Sequence, residues 1–245
     1  MIFFPSTRLP SPALNALVMA AVYFAAGRLA LMLAIPPGYA TAVWPAAGLA
    51  LAGVLWRGPS VMPGILAGSF LVNIGTSLDS TNAWTILRST LLAISVGGGA
   101  AWQANVGARL VRRYVGFPNS LAELPDVIRF LLLGGPVSCL VSASWGVLSL
   151  WSGGILAAEN TLFNWFTWWV GDTIGAMIFA PLALIWLTGP RQGSARRRMA
   201  LSLPLGVTFA LAVALFIFAS AADQNRILAE FRRRTEVLTH ELQKD

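Results

Sequence analysis

The stretch Leu162–Leu187, LFNWFTWWVGDTIGAMIFAPLALIWL, constrains this chain more than any other segment. It runs for 26 residues with Asp172 as its one formal charge. A helix rises about 1.5 Å per residue and the hydrocarbon core of a bilayer is about 30 Å thick, so such a run reads as a transmembrane helix. A lone carboxylate at that depth is costly and faces a protein interior or a water-filled site. Trp165, Trp168, Asp172 and Gly175 are spaced by three or four residues and share one helix face. The segment reads as an aromatic-walled polar spot inside a membrane.

The rest of the chain suits the same solvent. Charged residues make up 11% of it, against about 25% in soluble domains. Six further apolar runs can be drawn: Ala13–Ile35, Ala40–Trp56, Val61–Leu78, Trp84–Val106, Ile128–Trp151 and Met199–Ala222. The expected fold is therefore all-α, a polytopic transmembrane helix bundle of about seven spans. The first span is long enough to act as a signal-anchor, and no cleavable signal precedes it. Residues 1–222 read as one integral membrane domain, because every gap between spans is short.

The gaps alternate in charge. Arg8, Arg57, the group Arg109, Arg112 and Arg113, and the group Arg191, Arg196, Arg197 and Arg198 fall on one side. Asp79 and Glu159 fall on the other. Arginine-rich loops stay in the cytoplasm, which places the N-terminus inside and the C-terminus outside. The net charge of +7 is thus mostly topology; nothing in the sequence resembles a nucleic-acid motif. Residues 223–245 carry five acids and five bases, with Ile227, Phe231, Leu238 and Leu242 at helical spacing. An apolar stripe without a partner in the chain suggests a helical stalk or the start of an extracytoplasmic domain.

Polar residues at membrane depth cluster in the outer half of this topology. Arg28 lies about 10 Å below the outer end of the first span and Asp172 about 15 Å below that of the sixth, at 1.5 Å per residue. Trp44, Pro45, Asn73 and Arg88 also lie near outer ends. The expected site is an outward cavity lined by spans 1, 2, 3 and 6. Trp44, Trp168 and Trp169 would wall it, with Asn73 and Asp172 as polar contacts. Unwinding near Pro45 and Pro63 would let backbone groups line it. Arg28 would either hold the charge of Asp172 or snorkel to the headgroups. The plainer readings are an interfacial tryptophan belt, with Trp165 part of it, and helix packing at Gly64-xxx-Gly68 and Gly171-xxx-Gly175.

Several chemistries have no residues to carry them. The single cysteine, Cys139, excludes an intrachain disulfide, and the single histidine, His240, lies in the tail. The sequence holds no metal set, Walker loop, kinase signature or nucleophile elbow, so no catalytic residue, cofactor or metal site is expected. The Gly97-Gly98-Gly99 run falls inside a span and reads as close packing or a kink.

The strings WPAAGLAL (Trp44–Leu51), RGPSVMPGILAGSFLVN (Arg57–Asn73) and WWVGDTIGAMIFAPL (Trp168–Leu182) resemble, in order and spacing, the signature blocks of the bacterial membrane-associated sensor domains of the first MASE class. The resemblance spans about residues 13–222. The tail string EFRRRTEVLTHEL is similar to the start of an extracytoplasmic CHASE domain. The resemblance implies a signal-input module of the bacterial inner membrane rather than an enzyme. It further implies an output domain beyond Asp245, such as a histidine kinase, diguanylate cyclase or cyclic-di-GMP phosphodiesterase, after a further span. The implied partners are the lipid bilayer, an unidentified small-molecule ligand or membrane protein, and a second copy of the full-length parent. Binding would shift the populations of two helix arrangements, passed on through the seventh span. The alternative reading is a substrate-binding membrane subunit of a small-molecule transporter; the presence of a downstream soluble domain discriminates the two.

Overall fold

The computed structural model describes residues 11–32, 41, 43–119, 121 and 123–188, together with 199, 203 and 206. The chain divides into two units, Met1–Gly193 and Ser194–Asp245. In the second, the three described residues are helical; the expected seventh span and the tail otherwise lie outside the described residues.

The first unit is a helix bundle of α1 (Pro12–Leu31), α2 (Pro45–Arg57), α3 (Met62–Ser77), α4 (Ala83–Tyr114), α5 (Leu124–Leu132), α6 (Ser138–Ser152) and α7 (Thr161–Thr188). Local sequence sets the starts. The Ser11 hydroxyl accepts from the Leu14 amide at 3.2 Å, and Pro12 opens α1 where no amide partner is needed. At α4, Asn82 and Thr85 bond reciprocally in a capping box. Pro45 and Pro63 likewise stand in the first turns of α2 and α3. They begin helices, so the unwinding expected near them is a helix start and not an interruption. The interruption falls instead at Leu133–Val137 between α5 and α6. There Pro136 removes an amide and Gly135 leaves helical geometry at φ −97°, ψ −106°.

Pairwise contacts give the direction of each helix. Gly64 and Gly68 of α3 meet Ala16 and Ala20 of α1, so α1 and α3 run the same way. Gly53 meets Met19 while Trp44 meets Tyr23, so α2 runs against α1. On α6, Ser149 and Ser138 meet Ser95 and Gly107 of α4, so these two are antiparallel. On α7, Asp172 and Met177 meet Ser142 and Gly135, again antiparallel. Counting α5 and α6 as one, six helical segments among the described residues alternate in direction. Arg57, Arg112 and Arg113 consequently gather at one end of the bundle, and Asp79 and Glu159 at the other.

Among the described residues, four helical segments are long and apolar enough, by length and composition, to cross a membrane: Pro12–Leu31, Pro45–Thr76, Leu124–Ser152 and Ala158–Leu187. The second turns back at Gly58, whose φ of +72° suits glycine, and so forms the two antiparallel helices α2 and α3. The 32 residues of α4 are long enough, but glycines, Gln103 and arginines dilute their apolarity.

Helix α2 is the centre. Nine of its 13 residues are buried, and it packs against α1, α4 and α7. Its small residues permit this. A Cβ at Gly175 would overlap the Trp44 carbonyl, and one at Gly48 would overlap the backbone of α7. In lipid, where apolar contact alone gives little preference for protein over solvent, such close backbone approach drives helix association. At its C-terminus the Arg112 guanidinium donates to the Val54 and Leu55 carbonyls at 2.8 and 3.0 Å, satisfying groups a helix end leaves open.

Candidate functional site

Helix α2 is short, about 20 Å at the standard rise, and it begins deep in the bundle. The Trp44 amide donates to the Gly171 carbonyl at 2.9 Å, ten residues into α7 and hence about 15 Å along it. Beyond that start lies a cavity of about 190 Å³, walled among the described residues by Trp44, the N-cap of α2, and by residues of α1, α3, α4, α6 and α7.

One charged side chain faces the cavity among the described residues lining it, Asp172, which is 3% exposed. The Ser142 hydroxyl, reaching across from α6, donates to its carboxylate. Trp168, one turn earlier on α7, is a second hydrogen-bonding neighbour. The Trp168 ring sits where Gly146 leaves room; a Cβ there would fall 2.6 Å from it. Elsewhere in the lining, Trp44 Nε1 donates to the Tyr23 hydroxyl at 3.2 Å, and Tyr23 also bonds Ser69. Asn73 Nδ2 donates to the Ser69 carbonyl at 2.8 Å and to its hydroxyl at 3.3 Å. Two polar groups, one on α6–α7 and one on α1, Trp44 and α3, therefore line the same largely apolar space.

Of the residues expected at a site, the cavity brings together Trp44, Asn73, Trp168 and Asp172. Three fall elsewhere. Trp169 follows Trp168 by one residue, which turns it about 100° around the helix. Its indole instead donates to the Pro136 carbonyl at 2.8 Å, bracing the distorted turn, and its ring stacks on Trp165. Pro45 serves to start α2. Arg28 is exposed, with its guanidinium beside Gly75. It makes no ion pair with Asp172; the one ion pair among the described residues joins Arg129 and Asp126. Facing outward near a helix end costs an arginine less than burial beside a carboxylate, so the expected charge pair is replaced by a hydroxyl partner. Spans 4 and 5 also line the cavity, through Ser89, Ala93 and Ser142 among others, beyond the four spans expected.

Sequence reasoning missed Tyr23, Ser69 and Ser142. Ser69 and Asn73 lie four apart, as do Ser138 and Ser142, and each pair marks a polar face within an apolar run. Serines are frequent in such helices, however, and nothing local separates these from Ser95 and Ser149, which bond each other at 2.8 Å between α4 and α6.

Outside the bundle axis, Asp79 sits in the α3–α4 turn. The hydroxyl and amide of Thr81 donate to its carboxylate and hold its pKa below the ordinary value.

No group of three or more metal-ligating side chains occurs among the described residues. The site offers a buried carboxylate, hydroxyls and aromatic faces, a set suited to binding. The MASE1 family model matches residues 13–231. No curated protein and no solved structure matches. The match takes in nearly the whole chain, including the central helix and the lining of the cavity, and the chain belongs to the MASE1 family of membrane-associated sensor domains.

Proposed function

We propose that this chain is the signal-input module of a bacterial inner-membrane signalling protein, and that the cavity beside Asp172 receives the signal. The observation that carries this reading is the cavity itself: a space on the axis of the bundle where a buried carboxylate, hydroxyls and the rings of Tyr23, Trp44 and Trp168 converge. Few polar groups in an aromatic-lined hollow are what small-ligand sites offer. The cavity lies at the end away from Arg57, Arg112 and Arg113. With arginines cytoplasmic, it faces outward and the N-terminus lies inside. A ligand or a partner protein favouring one helix arrangement would shift the balance between two. Helix α2 runs from its N-cap Trp44, which lines the cavity, to the Val54 and Leu55 carbonyls that Arg112 of α4 binds, and so reaches from the site to the opposite end. A kinase, diguanylate cyclase or phosphodiesterase following this region would read the change, with the parent acting as a homodimer. The tail would be a stalk or the start of a CHASE-like domain, and seven spans would place it outside.

Filling the cavity tests the reading. Ala93 is buried on its α4 wall, and Ala93→Phe changes no polar partner. In the full-length protein the variant is expected to reach the membrane at normal level and to hold output constant across external conditions. A normal response would overturn the assignment.

A further inference from the structure

The charge inventory of the cavity limits what it can bind. Asp172 is the one formal charge among the described lining residues, and Arg28, the nearest expected countercharge, faces outward. An anionic occupant would meet a like charge in a low-dielectric space with no base to offset it. The partner that the carboxylate does have, the Ser142 hydroxyl, is neutral. A buried carboxylate with neutral partners alone remains costly, and a cation entering the cavity would offset that cost.

The walls define which cation. Trp168 stands one turn before the carboxylate on α7, and Trp44 and Tyr23 line the same cavity. Aromatic faces around a carboxylate are the surroundings that bind ammonium groups, through attraction of the cation to the ring quadrupoles. A bare metal ion would ask for a close oxygen cage, which one carboxylate and scattered hydroxyls do not provide. The volume of about 190 Å³ sets the size. An apolar cavity of about 150 Å³ takes benzene, so the occupant has about eight non-hydrogen atoms or fewer.

We infer that the cavity binds a small organic cation, an alkylammonium or quaternary ammonium compound, with its charge against Asp172 and its alkyl groups against Trp44, Trp168 and Tyr23. This deepens the proposed function and rests on the cavity being the ligand site.

The test is calorimetric titration of the full chain in lipid nanodiscs at fixed salt. The probes are tetramethylammonium, choline, and the neutral alcohol in which carbon replaces the nitrogen of choline. The cations are expected to bind and the alcohol to bind about tenfold more weakly or worse. Asp172→Asn, which keeps an acceptor for Ser142, is expected to weaken the cations by a similar factor and leave the alcohol unchanged. Three results would each overturn the inference: the alcohol binding as well as choline, neither cation binding, or sodium competing as well as choline does. The comparison of choline with the alcohol uses unaltered protein, so it stands even where a variant fails to fold. The two readings also separate. If Ala93→Phe freezes output while no cation binds, the site survives and its cation preference falls. If cations bind and Ala93→Phe leaves output responsive, the binding site survives and its sensing role falls.

Discussion

Along the bundle axis, the half toward Arg57 and Arg112 is filled by α2, and the half toward Asp79 holds the cavity. The same surrounding helices wall both. The filled half is held by backbone approach, with Gly48 and Gly175 admitting contacts that no Cβ would allow. The hollow half is held by side-chain hydrogen bonds, Ser142 to Asp172 and Trp44 to Tyr23. Inside a membrane, where apolarity is everywhere, the amount of empty space and the placing of polar groups distinguish a site from a scaffold.

The comparison breaks most readily at the seam. Gly175→Leu forces a side chain into the Trp44 carbonyl. Overpacking of this kind costs about 3 kcal/mol, and the expected result is loss of monodisperse protein on extraction, scored by size-exclusion chromatography. A matched pair then sharpens the contrast. Ala50→Phe, on the fully buried face of α2, is expected to be destabilising by about 3 kcal/mol, whereas Ala93→Phe, facing the cavity, should cost less than about 1 kcal/mol. Thermal unfolding in detergent measures both, and equal losses would mean that the hollow is not space a side chain can enter.

Next in size is the polar wall. Asp172→Ala leaves Ser142 without its acceptor and is expected to cost about 1–3 kcal/mol, with Asp172→Asn costing less because it keeps an acceptor. In a double-mutant cycle, Arg28→Leu and Asp172→Asn should add to within about 0.5 kcal/mol. A larger coupling would restore the charge pair that the structure replaces with a hydroxyl. The smallest effect belongs to the α3–α4 turn. The lowered pKa of Asp79 contributes stability above the ordinary carboxylate range, and that contribution is lost as pH falls through the folded value. Thermal unfolding should therefore become less pH-sensitive there in Asp79→Asn.

How far the sequence could be read differs between these halves for a physical reason. Helix periodicity and the lone charge of Asp172 are local, so the bundle class, the face shared by Trp168 and Asp172, and the helix-packing use of Gly64 and Gly68 follow from spacing alone. The partner of Asp172 is not local. Ser142 lies thirty residues away in sequence, and an arginine looked the better partner because it carries charge. The structure prefers Ser142 because α6 runs antiparallel to α7 at contact distance, while α1 turns Arg28 to the surface. The hollow was also unreadable in its cause. Pro45 suggested a break within a span, whereas it marks a helix that starts late.

That late start has a consequence for how the protein is made. A helix of 13 residues covers about two-thirds of a hydrocarbon core at 1.5 Å per residue. It cannot hold itself across the bilayer, and most of its surface is claimed by α4 and α7, which the ribosome delivers later. Helix α2 must therefore enter as one arm of a hairpin with α3 and wait, incompletely enclosed, until α7 arrives to bring Gly175 against Trp44. The pass that carries Gly175 closes the core around a helix synthesised more than a hundred residues earlier, so the cavity takes its walls only when α7 is in place.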